Sequence, residues 1–206
     1  SIFDFLQESN DYYLPPFTGT YLRVVRHIVL WLTLFLTPLW FLATKNPAQV
    51  PEWLQFALPV ETGKLPILLQ LLLTEFIIDG LRMASMNTPD MLANSLSVVG
   101  GLILGDFAVS VGWLIPEVIL YMAFVAIANF TQNSFELGYA LKFLRILLLF
   151  LVALFGGWGF LAGVVVILLL MVSNRTVNGG HSYLYPWIPF NPRSLRALYT
   201  RRRKRT

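Results

Sequence analysis

From Leu65 to Met83 the chain is almost wholly apolar, yet Glu75, Asp79 and Arg82 stand inside that run. Read as a helix at about 100° per residue, positions i, i+4 and i+7 fall within a narrow arc of one face. A charge facing hydrocarbon is costly, so this face must point into a helix bundle or a wet cavity. The run therefore demands neighbours. Two arrangements satisfy it: a structural charge network with Arg82 as the internal partner of the two acids, or a carboxylate facing a water-filled path that attracts cations.

Those neighbours are available. A mean hydropathy of +0.66 with only 13% charged residues lies outside the range of soluble globular domains. The expected class is all-α, a polytopic helical membrane domain with short interfacial segments. Three regions are expected: a juxtamembrane lead-in over 1–22, the helical transmembrane domain over 23–173, and a basic cytoplasmic tail over 174–206. The chain opens on Ser1 rather than Met, as a fragment or processed product would, and its first twenty residues lack a signal-peptide pattern. With no cysteine, disulfides and thiolate chemistry are excluded.

Apolar runs over Val24–Ala43, Leu65–Met83 and Asn94–Leu114 read as three spans, and Glu117–Phe130 as a short fourth. Thr44–Lys64, with three prolines around Glu52-Trp53-Leu54, reads as a loop carrying a short interfacial helix. Leu141–Val172 is too long for one ordinary span at about 1.5 Å per residue. The break Gly156-Gly157-Trp158-Gly159 predicts a tight helical hairpin, hence six spans; one long broken helix, giving five, is the alternative. Charge favours six. With a cytoplasmic start, thirteen of the fifteen Lys/Arg, Lys142 and Arg145 among them, then lie on or near the cytoplasmic side. The net charge of +4 is dominated by Arg201, Arg202, Arg203, Lys204 and Arg205. That cluster signals orientation and contact with lipid headgroups or a partner rather than nucleic acid.

The third run carries the other candidates. Asn94, Ser97, Gly101, Gly105 and Gly112 share one side, and Ser95, Asp106 and Ser110 lie roughly a third of a turn away. Small residues invite close helix contact, which assigns packing to Gly101, Gly105 and Gly112. Asn94, Ser95, Ser97, Asp106 and Ser110 are the candidate lining of a cation path. Asp106 has no basic residue within a turn or two on its own helix, so it is protonated, paired with another helix, or wet. No nucleotide-binding, zinc-protease or nucleophile-elbow pattern occurs in a suitable context, and His27 and His181 are far apart. The expectation is a protein that is not an enzyme and carries neither cofactor nor metal.

Four blocks in order then become recognisable: Leu72-Leu-Thr-Glu-Phe-Ile-Ile-Asp-Gly-Leu-Arg82, Ser97-Val-Val-Gly-Gly-Leu-Ile-Leu-Gly-Asp106, Ala126-Ile-Ala-Asn-Phe-Thr131 and Glu136-Leu-Gly-Tyr-Ala-Leu-Lys-Phe-Leu-Arg145. Together they resemble the GerA family of bacterial spore germination proteins, over most of Tyr21–Val172. Asp11-Tyr-Tyr-Leu-Pro-Pro16 and Gly19-Thr-Tyr-Leu-Arg23 resemble its stage V sporulation branch more than the nutrient-receptor A subunits. The resemblance implies an integral protein of the spore inner membrane with soluble N-terminal domains ahead of the membrane domain. It also implies a homo-oligomer that works with other spore-membrane germination proteins and releases monovalent cations. Asp106 departs from the family pattern, where a neutral polar residue such as Gln is expected. Two rival readings stay open: a non-conducting scaffold or docking subunit, and a secondary transporter, which the lack of a clear internal repeat disfavours.

Overall fold

The computed structural model describes residues 15–61, 63–86, 98–101, 103–131 and 134–173. Among them every regular element is helical. Helix α1, Pro16–Lys45, starts where Pro15 and Pro16 set an extended entry and a first-turn proline, a position that needs no N–H. Pro38 sits inside it and removes one rung of its hydrogen-bond ladder. The proline-rich loop that follows makes two short 3₁₀ turns, Pro47–Gln49 and Glu52–Ala57. Helix α2 is Ile67–Met86 and α3 is Val98–Ser110. Within α3, Ile103–Phe107 is wound as a π-helix. A turn at positive φ on Gly112 leads into α4, Pro116–Phe130, again opened by a proline. Helix α5, Phe135–Ser173, is broken at Gly156, whose φ of 59° and ψ of −131° only glycine adopts without strain.

The break reverses the chain. In a straight helix, residues 148 and 163 would stand about 22 Å apart. Here a Cβ placed on Gly163 would lie 2.5 Å from Leu148 Cδ2, and one on Gly159 would run into the Leu151 carbonyl. Ile167 shares a buried cluster with Leu141 and Leu148. The arms 135–155 and 157–173 are therefore antiparallel and touching, the hairpin expected from the glycine-rich break.

Contacts order the remaining helices around the first arm of α5. The α1 carbonyl of Thr33 meets Arg145, and the amine of Lys45 caps the carbonyls of Val152 (3.1 Å) and Ala153 (2.5 Å), so α1 runs parallel to that arm. Helix α2 runs against it, with Leu71 packed among Leu149 and Val152 while Asp79 reaches back to Lys142. Helix α4 also runs against it, Val118 and Met122 filling the space between α1, α2 and α5. Polar anchors fix the end where these helices turn. Gln70, fully buried, donates to the Leu65 carbonyl (2.8 Å) and accepts from the Ile115 N–H (2.9 Å). The Trp40 indole N–H (2.7 Å) and the Tyr121 hydroxyl (3.2 Å) both donate to the carbonyl of Ala57. That carbonyl holds the 3₁₀ segment down while Trp53 and Phe56 stay exposed on it.

Among the described residues two helices, Phe17–Lys45 and Glu136–Ser173, are long and apolar enough to cross a membrane by length and composition. Helix α2 reaches 20 residues but carries three charges, and α4 is shorter, with 15. The outer face of α5 is strongly apolar, with Leu154, Phe155, Trp158, Leu161 and Leu169 all exposed. A single chain leaves that surface uncovered.

Candidate functional site

Two chemically different regions hold the expected site residues. The first is buried. Arg145 lies ten positions from either end of the arm 135–155, about 15 Å of helix in each direction. Only 1% of it is exposed. Its Nε donates to Glu75 Oε1 at 2.7 Å, its Nη2 donates to the same oxygen, and its Nη1 donates to the Thr33 carbonyl at 2.7 Å. One guanidinium thus ties α5 to α2 and α1. One turn away, Lys142 forms an ion pair with Asp79. Acids at i and i+4 on α2 meet bases at i and i+3 on the antiparallel arm, giving a two-rung ladder with no net charge. Such mutual pairing is what keeps buried charges tolerable.

The ladder corrects the expected network in one respect. The face carrying Glu75, Asp79 and Arg82 does point inward, but the acids take their bases from α5. Arg82 instead lies over the rings of Phe130 (5.3 Å) and Tyr139 (5.5 Å), where ring quadrupoles attract a cation. Lys142 and Arg145 were counted with the cytoplasmic-side charges; both are buried in this ladder. Their spacing was the available signal: bases three apart on one apolar run can complement acids four apart on another. Beside the ladder a small cleft of about 10 Å³, room for roughly one water, is lined by Glu75, Asp79, Arg82, Asn129 and Arg145. The buried Asn129 Oδ1 has no hydrogen-bond partner among the described residues.

The second region is α3, and it is open. Asp106 is exposed within the π-helical stretch and has no ion-pair partner among the described residues. Ser110 is exposed too, but its hydroxyl donates to the Phe107 carbonyl of its own helix at 2.9 Å. A Cβ on Gly101 or Gly105 would meet nothing within 4 Å, so neither glycine packs against this chain's own described residues. Gly112 does not belong to a helix face. The helix ends at Ser110, and Gly112 occupies the following turn at φ 77° with the Lys64 side chain beside it. Lys64 clamps that turn, its N–H donating to the Gly112 carbonyl (3.0 Å) and its amine to the Val111 carbonyl (2.7 Å). Within the chain, the close approach of α3 falls at Gly100, where a Cβ would lie 2.5 Å from Leu81 Cδ2 of α2. Asn94, Ser95, Ser97 and the cluster Arg201–Arg205 lie outside the described residues.

The family model described as Bacillus/Clostridium GerA spore germination protein matches residues 1–206. Stage V sporulation protein AF of Bacillus subtilis (strain 168) is 37% identical over 205 residues, 99% of this chain and 41% of that protein. The uncharacterized membrane protein YfkQ of the same organism is 26% identical over 199 residues, 95% of this chain and 38% of its own length. Spore germination protein KA, also from Bacillus subtilis, is 25% identical over 195 residues, 93% and 36% respectively. The chain thus spans about two fifths of the length of these relatives. No solved structure matches it significantly.

Proposed function

The chain belongs to the GerA family of spore germination proteins, and from that premise we propose that it is the membrane portion of a subunit whose copies assemble around a cation path lined by α3. One observation carries the reading: α3 combines an exposed carboxylate that has no ion-pair partner among the described residues with glycine positions where a Cβ would meet nothing, while two other carboxylates, buried Glu75 and part-buried Asp79, are paired with bases of α5. A bare carboxylate on a helix amid apolar surface is tolerable where water or cations reach it. Repeated by symmetry, it forms an acidic ring, which concentrates cations. Open glycines let copies of the helix approach closely enough to narrow such a path. The bundle of α1, α2, α4 and α5 is then the scaffold that holds α3 from behind, its exposed apolar face turned to the lipid of the spore inner membrane.

Potassium efflux from liposomes containing the intact protein tests this, with assembly measured on the same samples. Asp106→Asn keeps the shape and removes the charge, so it lowers cation flux or shifts selectivity. Ser110→Leu fills the same side and blocks flux without loss of assembly. If both variants assemble and conduct like the parent, α3 does not line the path. A scaffold subunit without conduction of its own shows no efflux in any variant.

A further inference from the structure

We propose that Leu81 on Gly100 is a latch that holds α3 in a resting position against α2, and that cations pass when α3 leaves it. The proposal rests on the assignment of α3 as the lining helix and adds how that helix is held. Three observations lead to it. The Leu81 side chain covers Gly100 so closely that an added Cβ would lie 2.5, 2.9 and 3.3 Å from its Cδ2, Cδ1 and Cγ atoms. One residue on, at Gly101, and again at Gly105, a Cβ would touch nothing among the described residues, so these two glycines add nothing to the contact at Gly100, while Lys64 holds the turn at the far end of α3. Shortly after Gly100 the helix turns π-helical at Ile103–Phe107. Such turns are rare and frequently stand at functional sites.

Leu81 itself is on a fixed support. It lies two residues beyond Asp79, about 200° around α2. One side of α2 is held to α5 by the Glu75–Arg145 and Asp79–Lys142 pairs, and another presents the leucine to α3. The ladder thus sets the height of the latch without touching α3. Clamped by Lys64 at its far end and seated on Leu81 at Gly100, with open glycines on its adjacent side, α3 has two discrete partners available: its own α2, or a neighbouring copy.

These 206 residues contain no cysteine, so a disulfide pair introduced here meets no competing thiol within them. Leu81→Cys with Gly100→Cys exchanges a large and an absent side chain for two small ones. The present separation allows the Cβ distance of about 3.5–4.5 Å that a disulfide requires. In the intact protein reconstituted in liposomes, oxidation should form the intrachain bridge, seen by mass spectrometry, and lower potassium efflux about tenfold. Reductant should restore it with no change in assembly. Leu81→Ala, which loosens the seat, should raise basal efflux, giving a response of opposite sign that misfolding would not produce. Failure of the pair to cross-link overturns the contact. A complete cross-link with unchanged efflux, where Asp106→Asn still lowers efflux, overturns the latch but leaves α3 as the lining helix. If Asp106→Asn and Ser110→Leu are also without effect, the assignment of α3 fails and the latch with it.

Discussion

Replacing Arg145 with methionine should be among the most damaging single changes in the bundle, and the damage should be largely reversible by a second change. The guanidinium donates three hydrogen bonds, two to Glu75 and one to Thr33, with 1% of the residue exposed. Methionine has the length to fill the space but leaves Glu75, 5% exposed, as an uncompensated charge. Removing one member of a buried pair costs about 3–5 kcal/mol. Glu75→Gln alone strands the arginine in the same way, softened by the amide oxygen that can still accept a bond, so the lower end of that range applies. Replacing both by neutral side chains removes the charge that needed company. Such double replacements are often neutral or stabilising by about 1–4 kcal/mol, less the bond lost at the Thr33 carbonyl, about 1 kcal/mol. The double variant should then lie between about 1 kcal/mol less stable and about 3 kcal/mol more stable than the parent, and the coupling energy should be at least about 5 kcal/mol. Reversible unfolding of the intact protein in detergent, on all four members of the cycle, measures it. Additivity to within about 0.5 kcal/mol, the behaviour of independent sites, would refute the pairing.

The glycine-rich turn discriminates between its own residues. Gly159→Ala drives a Cβ into the Leu151 carbonyl and should destabilise the hairpin by about 2 kcal/mol or more, because backbone cannot step aside; Gly157→Ala meets nothing and should be neutral or stabilising by up to about 1 kcal/mol, both read as shifts in unfolding midpoint. Gln70→Leu leaves the buried Ile115 N–H without its acceptor and should cost about 1–3 kcal/mol, with faster amide exchange at Ile115 as the local readout. Because Lys45 reaches Val152 and Ala153, the loop after α1 and the turn at Gly156 share one end of the bundle. Cysteines at Trp53 and Trp158 should therefore be labelled from the same side of a sealed vesicle and one at Thr131 from the other; labelling of all three from one side would overturn the helix directions.

Part of this arrangement was legible in the residues. The inward face of α2 follows from the spacing of Glu75, Asp79 and Arg82 alone, because periodicity fixes a face. It does not fix which helix that face meets, so the spacing points to Arg82, on the same helix, as the partner of the acids and is silent on Lys142 and Arg145. The hairpin was legible because few residues other than glycine adopt the backbone that Gly156 requires. The third run was legible in composition but not in extent. Its small-residue period was carried on to Gly112, past the true helix end at Ser110, since a turn glycine and a packing glycine look alike until φ is known. The π-helical stretch at Ile103–Phe107 left no mark in the residue pattern, and neither did the leucine seated on Gly100. Both depend on distances between helices, which no one-dimensional period encodes.

The reversal at Gly156 also decides a question of parity. Continued straight, α5, at 39 residues, would be about 58 Å long, close to twice the roughly 30 Å of a bilayer's hydrocarbon layer. It would end at the opposite extremity from the one where α1 begins. Folded at one glycine, it returns Ser173 to the end of the bundle that holds Pro16. Any plane that divides the two ends of the bundle is therefore crossed an even number of times between Pro16 and Ser173. A single backbone torsion thus decides at which end of the bundle Ser173 stands, independently of any charge in the chain.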